Sequence, residues 1–185
     1  MQTLTAGTTS TLPHFNQLIT IFPFTVATFC APSDLCETGG MHAEHIRAIS
    51  TWLGGPGHYD CVLIQCNCGP LDLDTHGLQN YHVACIHLIF SFVFFRIQYS
   101  CALIHKFLPV DKEPDEKTGM WIMQHQPHAQ VITLDPILHS AHLIPVYGYE
   151  EAALPKTCTP EGSLDNFEWF YINKFVDHHA FKVAF

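Results

Sequence analysis

The segment from Tyr81 to Phe107, YHVACIHLIFSFVFFRIQYSCALIHKF, constrains the fold of this chain more than any other. It reads as two long apolar β-strands with one arginine, Arg96, near the bend between them. The density of Phe, Val and Ile favours a pleated, buried surface over a helix. The apolar stretch Val83–Phe95 contains His87 and runs 13 residues between His82 and Arg96. A membrane-spanning helix needs about 20 apolar residues. The segment is therefore expected to be a buried hairpin rather than a membrane span.

The strands around this hairpin follow one another through turns. Tyr59–Gln65 is expected to be a strand, and residues 66–80 (CNCGPLDLDTHGLQN) a loop dense in Gly, Pro, Asp and Asn. After the hairpin, Val110–Thr118 reads as a charged turn, followed by strands at Gly119–His125 and Gln130–Leu134 joined through Gln126-Pro127-His128. A helix is expected over Met41–Leu53, where Met41, Ile46, Ile49 and Leu53 lie at helical spacing before Gly54-Gly55-Pro56-Gly57. Asp135-Pro136 resembles an N-cap followed by proline, so one helical turn is expected there, then a strand over Leu143–Val146. Leu164–Phe175 is aromatic-rich, with helix and strand in competition.

No helical crossovers alternate with the strands, which argues against a parallel sheet. The expected fold is mainly β (α+β): a small antiparallel β-barrel or strongly twisted sheet with one or two short helices. Barrel closure would protect the edges of so apolar a hairpin. Residues 1–30 are expected to form an irregular N-terminal arm, and residues 31–185 a single β-rich domain.

Charged residues make up 14% of the 185, against about 25% in an average soluble domain, so a large share of the surface is expected to be buried or to face a partner. The formal net charge is −9, and Arg47 is the only Lys or Arg before Arg96. A nucleic-acid binder carries clustered basic side chains that displace phosphate counterions. Direct nucleic-acid binding by this chain alone is not expected. Eight cysteines stand at positions 30, 36, 61, 66, 68, 85, 101 and 158. Cys85 and Cys101 lie within apolar strands, where free cysteine acts as a small hydrophobe. The N-terminal apolar stretch has no basic residue before it and is broken by Pro23. An intracellular, reducing compartment, the nucleus included, is the expectation.

Two constellations could bind metal. Cys61, Cys66, Cys68 and His76 supply zinc-type ligands, but Cys66 and Cys68 are separated by one residue, too few for a standard knuckle. His139 and His142 would share a face on a helical turn, and with Asp177, His178 and His179 they offer imidazoles and a carboxylate suited to zinc. Asp72 and Asp74, and the cluster Asp111, Glu113, Asp115 and Glu116, fit solvated loop ends better than acid–base pairs. No phosphate loop, G-x-S-x-G or H-E-x-x-H is present, so no catalytic residue is assigned.

Several ordered segments carry a resemblance: APSDLCETGGMHAEHIRA (31–48), HYDCVLIQ (58–65), the central hairpin, DEKTGMW (115–121), VITLDPILHSAHLIPVYG (131–148) and FYINKFVDHH (170–179). Together they are similar to the C-terminal regions of fungal transposon-derived proteins of the Plavaka or KDZ transposase type. The strand–turn–strand around VITLDPILHSAHLIPV also resembles bromo-adjacent homology domains and other SH3-like barrels at the level of fold analogy. The resemblance implies a mobile-element-derived, non-catalytic interaction or scaffold domain whose partner is another protein or another domain of a parent transposase. A metal-binding module or metal-dependent enzyme is the alternative, and a decayed relic without function the third.

Overall fold

The computed structural model describes residues 18–30, 41–66, 78–147 and 162–176. Eleven strands, one α-helical turn and a 3-10 turn at Leu78–Asn80 occupy them: β1 (Thr20–Phe22), β2 (Phe24–Cys30), β3 (Met41–Ile49), β4 (His58–Tyr59), β5 (Cys61–Gln65), β6 (Tyr81–Phe94), β7 (Ile97–Pro109), β8 (Ile122–Thr133), β9 (Ile137–Ser140), β10 (Leu143–Pro145), α1 (Ser163–Asn166) and β11 (Trp169–Ile172). The fold is mainly β and antiparallel, as expected. One sheet, ordered β10-β11-β8-β7-β6-β5-β9, curls into a half-barrel, and β1 pairs with the far end of β6. A smaller sheet, β2-β3-β4, packs beside it.

The central hairpin is the spine of the large sheet. Its strands pair from Val83–Phe107 out to Phe94–Ile97, closed by Phe95 and Arg96. Both bend residues have positive φ, 47° and 66°, the left-handed pair that a tight two-residue hairpin turn requires. The run Val83–Ile86 is buried at every position because both faces of β5, β6 and β7 are covered. On one face Val62, Ile64, Ala84, Ile86, Ile89, Ala102 and Ile104 meet Ala27, Ile46 and Ala48 of the small sheet. On the other, Cys61, Leu63, Val83, Cys85 and Phe107 pack with Met123, Phe170 and Ile172. Two-sided burial is why this stretch lacks the alternation of a strand with one wet face.

Four local expectations are corrected. Met41–Ile49 is strand β3, not a helix: the inward positions are the even ones, His42, Glu44, Ile46 and Ala48, and pairing with β2 across seven residues overrides the helical spacing of Met41 and Ile49. The segment after Asp135-Pro136 is strand β9, held by pairing with β5, rather than a helical turn. The two strands expected over 119–134 are one twelve-residue strand, β8, that accommodates Pro127 at a break in register. Within the expected irregular arm, residues 20–30 form β1 and β2 and pair into the body, while residues 1–17 lie outside the described residues. Leu164–Phe175 divides between its competitors, with helical turn α1 followed by β11. Among the described residues no helix is long and apolar enough to cross a membrane.

One polar contact ties the two sheets together. The Glu44 carboxylate on β3 accepts the backbone N–H of Ser140 on β9 at 2.9 Å and also the Ser140 hydroxyl. Glu44→Ala leaves both donors half-buried without that acceptor. Urea unfolding is expected to show a loss of about 1–3 kcal/mol, and Glu44→Gln, which keeps an acceptor oxygen, a smaller one.

Candidate functional site

A cavity of about 680 Å³ opens on the face where β5, β6, β7 and β8 pass beneath α1. It is lined by Asp60, Cys61, Cys85, His87, His105 and His125, with Asp165 of α1 across from them. The register of the sheet builds this cluster. Cys61 is directly opposite Cys85 on β5 and β6, and Cys85 directly opposite His105 on β6 and β7. His87, two residues beyond Cys85, returns to the same side.

Two of the register breaks in the sheet fall at these histidines. Between the Ile86–Ile104 and Leu88–Leu103 pairs, His87 is the extra residue of a bulge. Between the His105–Ala129 and Phe107–His125 pairs, β8 carries Gln126, Pro127 and His128 against the single Lys106 of β7. Bulges re-aim side chains, and here they gather three imidazoles. The His87 and His105 rings are 4.4 Å apart between centroids, and His105 and His125 5.2 Å. Tyr59 stacks on the outer face of His87 at 5.6 Å.

The electrostatics distinguish the two thiols. Cys85 is drawn down to about 6, first by the hydrogen bond it receives from Cys61 and then by the bond and positive charge of His87, which together outweigh burial. Cys61 moves the other way, well above the ordinary thiol range, because it is the donor to Cys85 and because burial disfavours its charged form. The bond to Cys85 raises His87 above the usual imidazole value, against the effect of burial. The pair therefore favours a Cys85 thiolate beside a His87 imidazolium, with Cys61 remaining a protonated donor. Cys85 is only 2% exposed, and the cavity is its route to solvent.

Burial lowers His105 and His125, and the charge of His87 adds to it, while Asp165 opposes the shift in both. Their folded values thus lie below the unfolded one, and the unfolded chain takes up protons first. The stability these groups contribute is fully present above about pH 6.5 and is lost as pH falls through their depressed folded values. The melting temperature is expected to drop as pH falls below about 6.5, and His105→Gln with His125→Gln to flatten that slope. A slope unchanged in the double variant would show that these imidazoles are not held neutral.

The other sequence-derived candidates lie elsewhere. His139 is buried on β9, its Nδ1 2.6 Å from the Ser140 carbonyl and its ring 5.1 Å from Phe29. His142 is exposed on the cavity rim, with its Nδ1 3.1 Å from the Asn173 amide. Their backbone is extended, so positions three apart do not share a face as they would on a helix. Asp177, His178 and His179, like Cys68, Asp72, Asp74 and His76, lie outside the described residues. Cys61, weighed above as a zinc-type ligand, lies opposite Cys85. Among the described residues no three His, Cys, Asp or Glu groups converge to hold a metal ion.

A further cavity, about 1120 Å³, is formed by the acidic turn between β7 and β8. There Asp115 accepts the Thr118 N–H at 2.9 Å and the Thr118 hydroxyl at 2.8 Å, so its carboxylate shapes the turn. Sequence reasoning treated Cys85 as a small hydrophobe and passed over His87, His105 and His125. The available signal was Cys85-x-His87 and His105 on the two arms of one hairpin, which the bulge at His87 brings to one face. Compared with protein-family models, with curated proteins and with solved structures, the chain matches none.

Proposed function

We propose that this chain is a β-sheet scaffold for a thiol centre in which Cys85 is the nucleophile and His87 its proton partner. One observation carries the reading: Cys85 and His87 share a cavity of about 680 Å³ in which the Cys61 thiol and the His87 ring both stabilise the Cys85 thiolate. A thiolate, not a thiol, attacks electrophiles, and an adjacent imidazolium both favours it and can protonate a leaving group. The volume suits a small substrate rather than a polypeptide domain. The test is competitive labelling with iodoacetamide at about pH 6.5, resolved by residue. Cys85, held as a thiolate in the cavity, is expected to react faster than exposed Cys30. Labelling of Cys30 ahead of Cys85 would contradict the reading.

A second reading is favoured by the hairpin tip. Phe95 is 82% exposed at a φ of 47°, unusual for a bulky side chain, and stacks edge-on against Phe94 at 4.4 Å. Exposed Val93 and Ile97 flank it, and β1 brings exposed Leu18, Ile19 and Ile21 to the same end of β6. Phenylalanine and arginine side by side suit docking into an apolar pocket rimmed by carboxylates. On this reading the chain is an interaction domain of a mobile-element-derived protein, with its partner a protein or another domain of a parent transposase. Cross-linking from the tip should capture a partner that the Phe95→Ser, Arg96→Ser variant does not. Identical capture by both would overturn it.

A further inference from the structure

Cys61 does more in this cavity than donate a hydrogen bond, and its pairing geometry shows what else it can do. The inference rests on the nucleophile reading of Cys85. Backbone bonds fix the kind of pair that Cys61 and Cys85 form. Ile86 N–H donates to the Asp60 carbonyl at 3.0 Å, and Cys66 N–H to the Asn80 carbonyl at 2.9 Å. These bonds mark the Asp60–Ile86 and Cys66–Asn80 positions as hydrogen-bonded. Counting along the ladder from either end makes Cys61–Cys85 a non-hydrogen-bonded pair. In such a pair the Cα atoms are about 4.5 Å apart and the side chains lean together. That separation is within the range a disulfide spans, so the two sulfurs can join without a change of register.

The two thiols also differ as an exchanging pair requires. Both line the cavity; one is the thiolate, stabilised by His87, and the other is a protonated thiol held against it. A nucleophile with no neighbour would stop at a covalent adduct. Here the second sulfur is already in place to displace it.

We propose that Cys85 and Cys61 form a dithiol–disulfide exchange centre that reduces a low-molecular-weight disulfide. The Cys85 thiolate attacks one sulfur of the substrate RS–SR, the S–S bond breaks, and RS⁻ leaves with the proton of the His87 imidazolium as RSH. A Cys85–S–SR mixed disulfide and a neutral His87 remain. Cys61 then gives its proton to His87 and attacks Cys85 Sγ. The mixed disulfide breaks, the second RS⁻ takes that proton, and a Cys61–Cys85 disulfide is left. Two electrons pass from the dithiol to the substrate, and two RSH form.

The experiment uses the full chain and oxidised glutathione as probe, with the cysteines other than Cys61 and Cys85 replaced by serine. Expected is a protein lighter by two hydrogens, with the Cys61 and Cys85 peptides linked in a non-reducing digest and two equivalents of glutathione released. Cys61→Ser should halt at one glutathione on Cys85, and Cys61→Ala should do the same if serine perturbs the pocket. Cys85→Ser should acquire neither product. Should the parent also stop at a stable glutathione adduct, the exchange centre is overturned while the nucleophile stands. Should Cys85 react with neither glutathione disulfide nor iodoacetamide in protein that is folded by circular dichroism, both fall.

Discussion

Phe107→Ala is expected to cost about 3–5 kcal/mol of folding stability, the range for truncating a fully buried phenylalanine. The ring is wholly inaccessible and lies edge-on to Phe170 of β11 at 5.6 Å and 82°. It also contacts the His125 ring at 5.2 Å. Phe107 thus joins the central hairpin to both β8 and β11, at the point where the register of β7 against β8 breaks. Strands on either side cannot move in to fill the space without disturbing that break, so relaxation is limited. Typical domains are stable by about 5–15 kcal/mol, and the loss would consume much of such a margin. Urea unfolding monitored by circular dichroism measures it. A change below about 1 kcal/mol would mean that β11 does not close this side of the half-barrel.

The second large effect is on reactivity. Because Cys61 is the first cause of the Cys85 thiolate and His87 the second, Cys61→Ala should raise the half-point of Cys85 alkylation further than His87→Gln does. Each unit of upward shift removes about tenfold of the thiolate present on the acid side of the half-point. At about pH 6.5, Cys61→Ala is expected to slow alkylation by at least about tenfold, with His87→Gln intermediate. The reverse order would put the imidazole, not the second thiol, in charge of the nucleophile. Equal rates in all three proteins would remove the basis for a thiol centre.

The hairpin was legible from residues 81–107 because apolar strand formers that long have few alternatives, and Arg96 marked its bend. Its function was not. With Phe95 and Arg96 as the bend, simple pairing leads from Phe94–Ile97 down to Leu88–Leu103, and the bulge at His87 then shifts every later pair by one residue. That shift is what sets Cys85 opposite His105. It leaves no mark in composition, since Ile86, His87 and Leu88 read as an ordinary strand. The helix expected over residues 41–53 failed for a related reason. Glu44 is an inward residue of β3, and its partner Ser140 is 96 positions away, a contact that local spacing cannot report. Cys85 was read as core from its neighbours, which is correct for its burial but silent about the cavity that reaches it.

The central claim is that Cys85 is a thiolate in the folded protein near neutral pH. Ultraviolet absorbance of the thiolate, titrated in the wild type and in Cys85→Ser and taken as the difference, tests it directly. The account predicts a single ionisation with a half-point at about 6 that moves up to the ordinary thiol value of about 8.5 in denaturant. A half-point at the ordinary thiol value of about 8.5, or above it, would contradict the account.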